Sequence, residues 1–150
     1  IGVQSEGSSY MYQAWKNNED IITKPPAPAD TVADSISAGL PRDRIKALKA
    51  VTETKGEYMI VSDDEIIAAI PDLAKRTGVF AEPAGSATWA GFKKAIDQNI
   101  INSSESVVVI NTGNGLKDIN SAMKAVELTG MKFYSIPPVL DEFRKLDIGK

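Results

Sequence analysis

The hydrophobic and polar positions of this chain change period several times, and each change marks an expected element. Ile1, Gly2, Val3 and Gln4 read as a strand. Gly7 then supplies a turn, and Ser8 or Ser9 can cap a helix that turns Met11, Ala14 and Trp15 inward and fails by Asn17 and Asn18. Residues 23–30 cannot extend it, because Pro25, Pro26 and Pro28 lack amide hydrogens, so a semi-rigid surface connection is expected. Thr31 is placed to cap a short helix over VADSISA, stopped by Gly39. Pro41 suits the first turn of the next helix, which would present Ile45, Leu48 and Val51 on one face until Gly56.

Residues 58–61 read as a short strand, and Ser62 with Glu65 forms a capping box for the helix that follows. Pro71 should kink that helix or split it in two, with Gly78 as its stop. Val79, Phe80 and Ala81 form an expected strand, and residues 84–97 a helix rich in small residues in its first half. Those small residues would let a sheet or a ligand pack closely. Val107, Val108, Val109 and Ile110 predict a strand buried on both faces. Asn111 and Thr112 end it, and Gly113, Asn114 and Gly115 turn the chain into a helix running from Leu116 to Leu128. A last short helix is expected from Pro137 and Pro138 through Leu146. Strands alternating with helices predict an α/β fold: three layers with a largely parallel sheet.

Composition narrows the chemistry. The 150 residues suit a single domain, and opening inside a strand suggests a fragment of a longer chain. The net charge of −3 is well mixed and no basic patch interleaves with aromatics, so nucleic acid is not an expected partner. No apolar run approaches a membrane span. The absence of Cys excludes disulfides and thiolate metal sites, and the absence of His excludes imidazole catalysis, so no metal centre and no catalytic triad are expected. Without Cys or a targeting segment, the cytoplasm is the default location.

Three constellations remain where strands or connections hand over to helices: Ala33 with Asp34 and Ser35, Glu82 with Pro83 to Gly85, and Thr112 with Gly113 to Gly115. Each has a plain structural use. Thr112 or Asn114 can cap a helix, Glu82 can favour a helix dipole as an exposed charge, and Asp34 and Ser35 are ordinary helix-start residues. Lys117 in the first turn after the loop can meet an anion, though a solvated or ion-paired lysine is commoner. The loop 112–115 is neither a P-loop nor a dinucleotide fingerprint, because the glycine spacing differs. The functional use is a hydroxyl and a carboxylate delivered at strand ends, where open parallel sheets bind ligands.

Taken together, IGVQSEGSS, TVADSISAGLPRDRIKAL, VSDDEII, GVFAEPAGSATWAG and VVINTGNGLKD resemble the carboxyl-terminal part of the threonine synthases, pyridoxal-phosphate enzymes of the tryptophan synthase β fold type (fold type II). The segments occur in the family's order across nearly the whole chain. TVADSI-like and EPAG-like segments also recur in dehydratases of the superfamily. TGNGLKD is sharper, although Asn114 stands where the family commonly has His.

The resemblance implies a large-domain portion of a fold-type II enzyme and a lyase reaction on a phosphate ester in threonine biosynthesis. That reaction converts O-phospho-L-homoserine and water to L-threonine and phosphate. It implies pyridoxal 5'-phosphate as cofactor, with Thr112 facing the pyridine nitrogen, Gly113 letting the loop approach, Glu82 near the polar edge of the ring and Ala33 against one face. In this family the Schiff-base Lys and the phosphate loop belong to the amino-terminal half. No catalytic residue is therefore assigned in 1–150, the fragment alone is expected to be inactive, and a homodimer is expected at full length. A cysteate synthase-like enzyme, a threonine or serine dehydratase, and a non-catalytic α/β binding module remain as alternatives.

Overall fold

The computed structural model describes residues 1–130 and 134–146. Strand β1 (Gly2–Ser5) leads into helix α1 (Tyr10–Lys16), which stops where Asn18 takes a positive φ of 52°. The proline-bearing connection carries no regular element, and Tyr10 Oη anchors it by donating to the Lys24 carbonyl at 2.8 Å. Helix α2 (Arg44–Glu53) follows, then strand β2 (Tyr58–Val61), helix α3 (Asp63–Thr77) and helix α4 (Pro83–Asp97). Two further helices close the chain, α5 (Ile119–Leu128) and the short α6 (Leu140–Arg144).

Strands β1 and β2 pair in parallel, Gly2 opposite Tyr58 and Ser5 opposite Val61. Alternation along the two strands divides the core into layers. Tyr58 faces Tyr10, Met11 and Ala14 of α1, with Leu48 and Val51 of α2 packed alongside. Val61 and Val3 face the other way, onto Ile66 and Ala69 of α3 and Ala84, Ala87 and Ala90 of α4. Helices therefore cover both faces of a parallel pair, and the predicted α/β layering holds. The small residues of α4 serve the sheet at one point: a Cβ on Gly91 would lie 2.5 Å from a Val3 methyl.

Local rules are obeyed at the ends of α3. Ser62 Oγ accepts from the Glu65 amide at 3.1 Å, and Glu65 accepts from the Ser62 amide at 2.7 Å. Gly78 stops the helix at φ 75°. Pro71 lies inside it without dividing it, so of the two outcomes the sequence allowed the split does not occur. Ile66, Ile67, Ile70 and Leu73 are all buried along one continuous helix, and at roughly 1.5–3 kcal/mol each their burial outweighs the lost turn of hydrogen bonding.

Other expectations need correction. VADSISA forms only a 3₁₀ turn at Asp34–Ile36, because Thr31 is turned toward Asp63 and receives the Ala33 amide two residues on. Ile45 is 51% exposed, and the inner face of α2 is formed by Ala47, Leu48 and Val51. Val79, Phe80 and Ala81 do not join the sheet; Ala81 instead makes an isolated antiparallel bridge with Asn114. The run 107–110 is not a paired strand, and Val108 is 87% exposed. A gap of about 610 Å³ separates it from β1, and backbone pairing across that gap is absent among the described residues. No helix of the described residues is long and apolar enough to cross a membrane.

Candidate functional site

Glu82 ends the stretch after Gly78 and stands as N-cap of α4, with Pro83 in the first turn. Its side chain does not cap the helix; it is 5% exposed and turned inward. A buried carboxylate needs partners, and two segments far away in sequence supply them. Lys117 Nζ lies 3.0 Å from Oε2 and 3.1 Å from Oε1, while Ser35 Oγ donates to Oε2 at 3.4 Å.

The loop after residue 110 is laced onto the same place. Glu82 N–H donates to the Gly113 carbonyl at 3.0 Å, and Gly115 N–H to the Phe80 carbonyl at 3.0 Å. Gly113 must be glycine for this approach, since a Cβ there would fall 1.8 Å from Glu82 Oε1. Gly85 permits the matching approach from the helix, because its Cβ would meet Asn111 Oδ1 at 2.2 Å. Small residues at the head of α4 thus receive the loop, just as Gly91 further along receives the sheet.

Within the loop the polar side chains divide their work. Asn111 Oδ1 accepts from Gly113 N–H at 3.2 Å, and Asn114 Oδ1 accepts from Leu116 N–H at 2.9 Å, capping the 3₁₀ turn Gly115–Lys117. Asp118 caps α5 through Ser121 N–H. The capping role open to Thr112 or Asn114 belongs to Asn114. Thr112 is exposed and nothing among the described residues hydrogen-bonds its hydroxyl. It lines a cleft of about 450 Å³ with Gly78, Val79, Phe80 and Asn111.

Ala33 lies apart from that cleft. It is fully buried, packed with Val61, Ile66, Ala84 and Ala87, so its methyl belongs to the core. It touches the site at one remove, through the turn that carries Ser35 to Glu82. The structure therefore joins Glu82 and Gly113 directly, sets Thr112 beside them, and brings in the Ala33 segment from behind. Sequence reasoning gave Lys117 and Ser35 little weight. The signal available for Lys117 was its place as a cation just past the glycine loop, within reach of an anion.

The chemistry of this set fits the ring-nitrogen end of a pyridoxal phosphate: an unpartnered hydroxyl at an open cleft, beside a carboxylate already neutralised by Lys117.

Residues 1–113 match the family model described as pyridoxal-phosphate dependent enzyme. The chain is 40% identical over 126 residues to the threonine synthase of Methanosarcina acetivorans, covering 84% of this chain and 31% of that protein. It is 39% identical over 127 residues to the threonine synthase of Methanocaldococcus jannaschii, with the same shares covered. Among solved structures, the processed form of threonine deaminase isoform 2 from Solanum lycopersicum aligns with a TM-score of 0.68 at 24% identity, over 87% of this chain and 36% of that one. Threonine synthase from Escherichia coli aligns with a TM-score of 0.57 at 14% identity, over 98% of this chain and 32% of that one. The chain thus spans about a third of the length of the relatives it matches.

Proposed function

The chain belongs to the family of pyridoxal-phosphate dependent enzymes, and from that premise we propose that the full-length protein is a threonine synthase. It converts O-phospho-L-homoserine and water to L-threonine and phosphate. The observation that carries this reading is the similarity to threonine synthases across more than four-fifths of the chain, which takes in the TGNGLKD loop. The fold likeness to a threonine deaminase does not favour deamination, because at 24% identity it speaks for the fold alone.

In this reading Thr112, Gly113 and Glu82 hold the pyridine end of the cofactor, and Ala33 supports them from the core. Bound pyridoxal phosphate supplies an electron sink for carbanion chemistry at the substrate carbons. Thr112 Oγ1 would donate a hydrogen bond to the ring nitrogen. A hydroxyl there, unlike an ionised carboxylate, would not favour a proton on that nitrogen. Glu82 acts behind the loop: Lys117 pairs with its carboxylate, and its oxygen under Gly113 sets how closely the loop can lie. The same reading makes the full-length protein a homodimer acting on a small-molecule substrate.

The test is a substrate comparison. Full-length protein supplied with pyridoxal 5'-phosphate should release phosphate from O-phospho-L-homoserine faster than from O-phospho-L-serine by at least about tenfold, the discrimination expected from roughly 1.4 kcal/mol of transition-state binding. Equal rates, or a preference for phosphoserine, would favour a cysteate synthase-like activity.

A further inference from the structure

Asp63 joins three stretches of chain at a single carboxylate. Oδ1 accepts from Ser5 Oγ at 3.2 Å and from Thr31 Oγ1 at 2.5 Å, while Oδ2 accepts from Val32 N–H at 3.0 Å. Thr31 Oγ1 in turn accepts from Ala33 N–H at 3.2 Å. Two residues further on, Ser35 donates to Glu82. The contacts form one relay, from the first turn of α3 through residues 31–33 to the carboxylate of the candidate site.

The helix start alone does not account for this. The first turn of α3 holds Asp63, Asp64 and Glu65, each of which suits the positive end of the helix dipole. Glu65 is spent on the capping box and on Lys94, and Asp64 is exposed. Asp63 is the member of the three that binds the backbone and side chain of residues 31 and 32. The end of the proline-bearing connection is also held by the Asp30 amide on the Gly7 carbonyl and by core packing of Val32 and Ala33, and Asp63 supplies the side-chain hydrogen bonds that Thr31 and Val32 make across the chain.

We propose that Asp63 is a positioning residue of the site: through Thr31 and Val32 it holds residues 31–35 in the register that lets Ser35 meet Glu82. The inference rests on the reading of Glu82 as a cofactor neighbour, and the two can fail separately. Ser5 provides the internal control, because it bonds the same carboxylate without belonging to residues 31–35.

The experiment compares Asp63→Ala, Thr31→Val, Thr31→Ser and Ser5→Ala in the full-length protein, with two readouts. Hydrogen exchange of the amides at 32–36, measured without cofactor, should accelerate by about tenfold in Asp63→Ala and Thr31→Val, as loss of a charge-assisted contact implies. It should stay near the wild-type rate in Thr31→Ser and Ser5→Ala. Affinity for pyridoxal 5'-phosphate, followed by cofactor fluorescence, should fall in the first pair and hold in the second. If Asp63→Ala does not fold, the Thr31 pair decides alone. Wild-type exchange in Thr31→Val, or acceleration in Ser5→Ala as large as in Thr31→Val, would overturn the proposal. Altered exchange with unchanged cofactor affinity would overturn the link to the site. A wild-type protein that binds no pyridoxal phosphate would remove the functional reading and leave the exchange rates to judge the relay.

Discussion

Glu82 and Thr112 flank the close approach that Gly85 and Gly113 allow between helix and loop, yet their surroundings give them opposite roles. The Glu82 carboxylate is enclosed, its charge matched by Lys117 and its lone pairs shared with Ser35. The Thr112 hydroxyl is exposed and uncommitted within the described protein, which leaves it available to a ligand. A side chain that stabilises nothing in the fold can be changed without unfolding it. Thr112→Val in the full-length protein should therefore lower phosphate release by about tenfold or more, the loss of one hydrogen bond to the ring nitrogen. Its stability should change by less than about 0.5 kcal/mol, as for other exposed positions. Parallel assays of turnover and thermal unfolding check both halves, and wild-type turnover would refute the assignment of Thr112.

At the scale of elements, contacts between α3 and α4 are fixed by a polar tie as well as by apolar packing. Asp72 accepts from Trp89 Nε1–H at 2.9 Å, from Arg76 Nε at 2.8 Å and from Lys93 Nζ at 3.0 Å. These bonds, the indole N–H first, hold its carboxyl well below the ordinary aspartate value of 3.8. A group whose folded value is depressed stabilises the fold while ionised, and that stability is lost as pH falls past the unfolded value toward the folded one. Asp72→Asn should lower stability by about 1 kcal/mol at neutral pH, since two of the three donors are cations that an amide no longer pairs. The difference from wild type should shrink as the pH drops below 3.8, the reverse of a burial effect. Unfolding curves at several pH values would show it, and a pH-independent difference would argue against ion pairing.

The elements also show which parts of the structure the sequence could reveal. Ser62 with Glu65, Gly78 and the α4 boundaries depend on residues within one turn of one another, and the chain alone specified them. The failures share another cause. The split that Pro71 also allowed does not occur, because four buried apolar residues on α3 outweigh its cost. The helix expected over VADSISA was lost to Asp63, a partner some thirty residues away. Residues 107–110 have the composition of a buried strand, but a strand is made by its neighbour, and none pairs with it among the described residues. Of the candidate site, the family resemblance grouped Thr112, Gly113 and Glu82 around one ring, while the direct contact of the loop with Glu82 came from the structure. The Lys117 pair and the depth of Ala33 were set by tertiary packing.

For the molecule as a whole, the unpaired run is the exposed liability. Val107, Val108 and Ile110 present 42%, 87% and 68% of their surface, and the run pairs with no strand among the described residues. Such a stretch is a template for another strand. The 150 residues studied on their own should self-associate, and Val108→Lys should reduce that association without lowering the melting temperature, as sedimentation velocity and calorimetry would report. A monodisperse monomer for both proteins would show that the run is protected in another way. The same 150 residues span about a third of the threonine synthases they match, and on the functional reading they hold only one end of the cofactor. The reaction is therefore expected of the full-length protein and not of this portion alone.

The product balance of the full-length protein tests the central claim most directly. With pyridoxal 5'-phosphate and O-phospho-L-homoserine, threonine and phosphate should appear in equal amounts, and added L-threonine should persist. Consumption of threonine with release of ammonia and a 2-oxo acid, with no phosphate formed from O-phospho-L-homoserine, would contradict the assignment and make the protein a deaminase of the same fold.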